Sequence, residues 1–199
     1  MTGLENPKPS LEELRGHFKA FRDECFWIRV CHRNYEVLFD TDERTLKLLG
    51  AVAVQFFQDL NNVMIEHLWL VSTRILDPAE SRGRPNLTVR YLDRALETHD
   101  LLSAKIKDAS AEVMSFHKTL KDPRNRLVAH LDLEAVMTGE AQGAHEKDEY
   151  EVFLRRLQVY LDLVGEVLGE GPLCIAPGGT KGDAIDLVRA LRDLLPEEG

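Results

Sequence analysis

Asp122-Pro123-Arg124-Asn125-Arg126-Leu127-Val128-Ala129-His130 gathers two guanidinium groups, an amide and an imidazole into about two turns of helix. Arginine holds a phosphate through a planar fork, and histidine takes or gives a proton near neutral pH. Arg124, Asn125 and His130 are therefore the candidate catalytic residues. The histidine would take the proton of a ribose 2′-hydroxyl, the arginine would stabilise a charged phosphorane, and the amide would orient the imidazole or hold a phosphate or ribose oxygen. This is transesterification without a metal, leaving a 2′,3′-cyclic phosphate and a 5′-hydroxyl. DNA lacks the attacking hydroxyl and would resist. Arg126, Lys121 and Lys118 are the candidate substrate-binding residues, because Lys118 to Arg126 carries four cations against only Asp122.

Asp122 reads as a helix N-cap with Pro123 at the first helical position, where its missing N–H costs nothing. Such a start would set Arg124 in a first turn whose amides favour an anion. Arg126 and His130 stand four apart and share a helix face; Arg124 and His130 are six apart and need not. On spacing alone a plainer alternative is favoured, in which the arginines pair with surface carboxylates and His130 closes the helix.

The other polar residues compete poorly. His99-Asp100 reads as a helix boundary, His117 as a bundle residue and His145 as a loop residue beside acids. There is no H-E-x-x-H, paired-cysteine or aspartate-rich calcium loop, so neither a metal nor a cofactor is expected. Gly178 to Gly182 reads as a connector, since a phosphate loop needs fuller spacing and a preceding strand. Cys25, Cys31 and Cys174 are odd in number and carry no ligand spacing, which suggests reduced thiols.

At 199 residues, 44% apolar and 30% charged, the chain is expected to form one domain, 1–199, with residues 1–9 flexible. The charge of −9 argues against a broad nucleic-acid-binding coat but leaves room for a small positive cleft. Met1 to Ser10 lacks the layout of a signal peptide. The richest apolar run, Leu48 to Phe57, is cut by Gly50 and Gln55, so no membrane-spanning run and a cytoplasmic protein are expected.

The frame reads as helical throughout. Ser10 caps a first helix in which Leu14, Phe18, Phe21, Cys25 and Ile28 recur at helical steps, running to Leu38-Phe39. Its Trp27, Tyr35 and Phe39 extend an aromatic face that suits a core or a dimer seam. Asp40-Thr41-Asp42 offers a cap for a long helix ending near Leu76, with Leu46, Leu49, Val52, Phe56, Leu60, Val63, His67 and Leu70 on its apolar face. His67 is expected to be a hydrogen-bonded core histidine. A loop follows over 78–86, whose Arg82 and Arg84 read as solvated more than as substrate-binding. Thr88 caps a short helix with Val89, Leu92 and Leu96 inward, and a further helix spans about Asp100 to Thr119. Loops over 138–146 and 169–182 bracket a strongly periodic helix from about Lys147 to Leu168, and a short helix covers Asp183 to Leu195. No run has the alternation of a strand. The fold class is all-α.

Arg124-Asn125, four residues, then His130 resembles the signature of the HEPN superfamily, small helical bundles that include many metal-independent endoribonucleases. Trp69 to Pro78, Asn86-Leu87-Thr88 and the aromatic first helix through Tyr35 and Phe39 are similar to its abortive-infection, AbiU-like branch. The resemblance keeps its order across Leu11 to Leu168. It implies a HEPN-like bundle with long antiparallel helices, extra short helices and a C-terminal helix. It also implies an endoribonuclease acting as a toxin or phage-defence effector. Arg124 and His130 would match the catalytic pair and Asn125 the polar companion, in a homodimer whose motif helices face each other across a composite cleft. RNA is the implied substrate, with an antitoxin or other regulatory protein as a further partner. The alternative is a non-catalytic HEPN-fold dimer that binds RNA, a nucleotide or a protein. Some HEPN toxins carry, two residues after the histidine, a tyrosine that a nucleotidyltransferase antitoxin modifies. Asp132 stands there, so that form of control is not implied.

Overall fold

The computed structural model describes residues 8–123, 147–175, 179 and 181–194. Among them are α1 (Leu11–Leu38), α2 (Glu43–Leu76), a hairpin of β1 (Glu80–Ser81) and β2 (Arg84–Pro85), α3 (Val89–Glu97), α4 (Ala104–Pro123), α5 (Lys147–Leu168) and α6 (Ala184–Leu194). The helical reading holds. The expected loop over 138–146 lies outside the described residues.

Local chemistry sets most of the boundaries. Ser10 and Glu13 form a capping box at the start of α1: the Glu13 N–H donates to Ser10 Oγ at 3.2 Å, and the Ser10 N–H donates to Glu13 Oε2 at 2.7 Å. Asp42 accepts the Thr45 N–H at 2.8 Å, and Thr88 accepts the Tyr91 N–H at 3.2 Å. At the end of α5, Gly169 (φ 70°) lets Glu170 N–H reach the Gly165 carbonyl at 2.8 Å and Gly169 N–H reach the Glu166 carbonyl at 3.2 Å. That paired pattern is a Schellman stop. Asp100 (φ 57°) makes the same stop after α3, with Leu101 N–H on the Leu96 carbonyl at 3.0 Å. Ser103 then caps the next helix through the Ile106 N–H, which moves the start of α4 from the expected Asp100 to Ala104.

Between Pro78 and Asn86 the expected loop folds into a two-stranded hairpin pairing Glu80 with Pro85 and Ser81 with Arg84. Its two turn residues, Arg82 (φ 52°) and Gly83 (φ 74°), are both left-handed, as a type I′ turn requires.

The described chain divides into two compact units. In the first, made of Met1–Cys25 and Ser72–Ile175, Leu14, Phe18 and Phe21 of α1 are buried with Leu92 and Leu96 of α3, Ile106 and Val113 of α4, and Leu154, Leu157 and Val164 of α5. In the second, made of Phe26–Val71 and Ala176–Gly199, Leu38, Leu49, Phe57, Ala184 and Val188 form the core. There α6 is fastened by Arg192, which donates to Thr45 Oγ1 at 2.8 Å.

Three expectations for α2 need correction. Its helix is interrupted at Ala53 (φ −162°, ψ 74°). Its apolar face is not all core: Leu46, Val52 and Leu70 are exposed, and Phe56 and Val63 are 60% and 59% exposed. Of the expected face Leu49 is buried, joined by Phe57, which is not part of it. Finally, an 18-residue window of α2 reaches a mean hydropathy of 1.2 with 11% of it buried, so by length and composition one helix does attain membrane-spanning character. His67 also departs from its expected role. Its Nε2 is shielded from solvent without a hydrogen-bond partner among the described residues, and its ring meets Trp27 edge-on at 6.4 Å.

Candidate functional site

The motif segment leaves the end of α4 and the chain returns at the start of α5. Position along α4 rises as position along α5 falls: Glu112 and Ser115 meet Arg156, and Phe116 meets Phe153. These two helices are therefore antiparallel neighbours. Phe116 stacks on Phe153 with centroids 4.4 Å apart, and Tyr150 sets its ring edge against both, at 5.8 and 5.6 Å. The buried Tyr150 hydroxyl shares a 2.6 Å hydrogen bond with Ser72 Oγ near the end of α2. Arg156 adds an ion pair to Glu112 at 3.5 Å and a hydrogen bond to Ser115 Oγ at 3.1 Å. An aromatic cluster with polar ties thus holds the two ends from which the motif segment departs.

Deeper in the same unit a carboxylate ties three helices together. Asp93 on α3 accepts Ser110 Oγ of α4 on one oxygen and the Tyr160 hydroxyl of α5 on the other, at 2.9 Å. Burial pushes the Asp93 carboxyl above its ordinary range, while both hydroxyl donors pull it back down. Burial, reinforced by the Asp93 charge, pushes the Tyr160 phenol well above its usual range, so it stays a donor at any ordinary pH. These positioning residues went unread in the sequence. The available signal was a polar residue, Asp93, one position beyond Leu92 on a helix with Val89, Leu92, Ala95 and Leu96 inward.

Lys118 and Lys121 belong to the last turns of α4 by backbone, and their side chains lie outside the described residues. Arg124, Asn125, Arg126 and His130 lie outside them altogether, as does Asp132. The helix start expected at Asp122 is corrected. Helical backbone continues from Thr119 through Pro123, so Asp122 sits inside α4 and is not an extended N-cap. A proline forfeits one hydrogen bond to the preceding turn, but here it stands at the last position of α4, where only that one bond is at stake.

Residues 11–175 match the HEPN family described as AbiU2. The chain belongs to the AbiU2 family of HEPN proteins. Neither a curated protein nor a solved structure matches it. The AbiU2 match spans α1 to α5, so the all-helical architecture is that of a HEPN-like bundle, and the protein is of the HEPN abortive-infection type. Arg124, Asn125 and His130 fall inside the matched stretch; α6 lies beyond it.

Proposed function

We propose that this AbiU2-family protein is a metal-independent endoribonuclease working as a cytoplasmic toxin or phage-defence effector. The observation that carries the reading is the Arg124-Asn125-(four residues)-His130 array within the residues matched to a HEPN family. His130 takes the proton of a ribose 2′-hydroxyl, and the freed oxygen attacks the adjacent phosphorus. Arg124 holds the charge that builds on the phosphorane oxygens, and Asn125 orients the imidazole. The P–O5′ bond then breaks and the 5′-oxygen leaves with a proton returned from the imidazolium, producing a 2′,3′-cyclic phosphate and a 5′-hydroxyl and restoring neutral histidine. Arg126, Lys121 and Lys118 hold neighbouring phosphates. The antiparallel α4–α5 pair, tied by Phe116, Phe153 and Tyr150, gives the segment a firm base.

Two copies sharing one cleft complete the reading. The exposed Phe56, Val63 and Leu70, at helical spacing beyond the break at Ala53, support self-association, because large exposed apolar side chains along one helix suit burial against a second copy.

The test is RNA cleavage in EDTA by wild-type protein, His130→Ala and Arg124→Ala, with end-group analysis. Each variant is expected to lose about 10²-fold or more in rate, the scale of general acid–base assistance. Cleavage at an unchanged rate in both variants would remove the site assignment. RNA binding without turnover by the wild-type protein would favour the non-catalytic dimer.

A further inference from the structure

Five arginines follow one another along a short length of chain in the first unit: Arg74 at the end of α2, Arg82 and Arg84 on the hairpin, and Arg90 and Arg94 on α3. All five are exposed. None of the five guanidinium groups has a hydrogen bond or ion pair to another described residue. Other arginines of this protein are committed: Arg15 and Arg22 hold the carbonyls of Leu168 and Glu170, Arg156 holds Glu112, and Arg192 holds Thr45. From Arg74 to Arg94 the five arginines stand against Asp77, Glu80 and Asp93, and Asp93 is taken up by Ser110 and Tyr160, so the stretch is locally basic in a chain with a net charge of −9.

The hairpin also separates two clefts that share Pro85. One, of about 440 Å³, is lined by Arg74, Ser81 and Asn86. The other, of about 430 Å³, is lined by Arg94, Lys8 and Tyr91, with Pro9 and Ala95 as apolar wall. Both fall within the size range of ligand pockets. Tyr91 is held in its wall by a 2.9 Å hydrogen bond between its hydroxyl and His17 Nδ1. Arg90 and Arg94 stand four apart on α3 and so share its face. Glu24 and Asp77 line the first cleft beside Arg74, and Glu80 lines the second beside Lys8 and Arg94, so the cation excess belongs to the Tyr91 cleft and to the exposed Arg82, Arg84 and Arg90 around it.

We propose that this surface binds single-stranded RNA, with its phosphates on Arg74, Arg82, Arg84, Arg90 and Arg94 and a base in the Tyr91 cleft. Planar forks suit phosphate oxygens, and a cationic track beside a fixed aromatic ring is the usual construction for an unpaired strand. The apolar wall beside Tyr91 favours a base over an acidic peptide, which would bring carboxylates to both clefts and nothing flat to fill one. The choice of RNA as the polymer rests on the ribonuclease reading. The location does not, because these residues are outside the Arg124–His130 motif.

The experiment is fluorescence anisotropy with a labelled 2′-O-methyl oligonucleotide, which offers the phosphates and bases of RNA but no attacking hydroxyl. Arg84→Ala/Arg94→Ala, both exposed, is compared with wild type across a salt series, with circular dichroism confirming the fold. Two lost contacts should weaken binding about tenfold at 0.15 M salt and reduce the slope of log K against log salt by about 1.4. Unchanged affinity and slope, or no binding by the wild-type protein, overturns the proposal. Equal displacement by RNA and by polyglutamate would also overturn it, assigning the surface to an acidic protein. Cleavage is measured separately. Arginine-dependent binding by a protein that never cleaves RNA would refute the ribonuclease reading and leave this one standing. Cleavage that needs His130 together with binding indifferent to the arginines would do the reverse.

Discussion

Tyr160→Phe removes one oxygen from the centre of the first unit and leaves the ring that fills the space. The phenol is completely buried, donates to Asp93 Oδ1 at 2.9 Å and lies 3.3 Å from the Val89 carbonyl. A hydrogen bond to a charged group contributes about 1.5–3 kcal/mol. Asp93 keeps its Ser110 donor, so the lower end applies, about 1.5 kcal/mol. For a chain of this size that corresponds to a fall in Tm of about 3–6 °C. The deficit should also depend on pH in a definite direction. Burial already holds the Asp93 carboxyl above its ordinary range, and the Tyr160 donor favours its ionised form. Losing that donor raises the folded-state value further. The stability gap between wild type and variant is therefore full where Asp93 is ionised and narrows as pH falls through its folded-state value. Urea unfolding followed by ellipticity at neutral pH and near pH 4 measures both effects. A variant within about 0.3 kcal/mol of wild type, or a gap that widens on acidification, would refute the account of this network.

Gly169→Ala should cost about 1 kcal/mol, because φ 70° at the end of α5 is strained for any residue with a Cβ; thermal melts would show it. Asp42 has its carboxyl held below the ordinary range, first by the Thr45 N–H and further by Arg192. Its contribution is therefore present at neutral pH and lost as pH falls through the folded-state value, so wild type and Asp42→Asn should converge in acid when their unfolding curves are compared. Thr88→Ala removes the α3 cap and should destabilise the protein by about 1 kcal/mol in urea unfolding. Phe56→Ser/Val63→Ser alters two residues more than half exposed, so stability should change little while self-association falls; sedimentation across a concentration series would detect it, and an unchanged mass would disconnect the stripe from dimerisation.

Where a helix boundary depends on neighbouring residues, the sequence reads well. Ser10 with Glu13, Thr88, and the stretch Lys147 to Leu168 give boundaries the structure reproduces, since caps and periodicity act within a turn or two. Pro123 misleads because the same residue suits a helix's first position and is tolerated at its last, and α4 reaches it from the packed Phe116 side. The hairpin escapes because two residues per strand cannot display alternation. In α2 the period reveals which side is apolar but not whether anything covers it, and Phe56 shows the difference. For the site, Arg124, Asn125 and His130 are legible by residue type and family signature. The carboxylate network beneath is not, because Asp93, Ser110 and Tyr160 come together only through tertiary packing.

Trp27 and Trp69 are the chain's two tryptophans, and both belong to the second unit, one half-exposed and the other buried. The first unit has no tryptophan and carries Tyr91, Tyr150 and Tyr160. Tryptophan emission therefore reads from residues of the second unit, whereas helical ellipticity registers both units. Coincident denaturation curves from the two signals would mean that the protein unfolds as a single cooperative body. Separated curves would mean that the residues around the tryptophans and the helices as a whole melt in different steps.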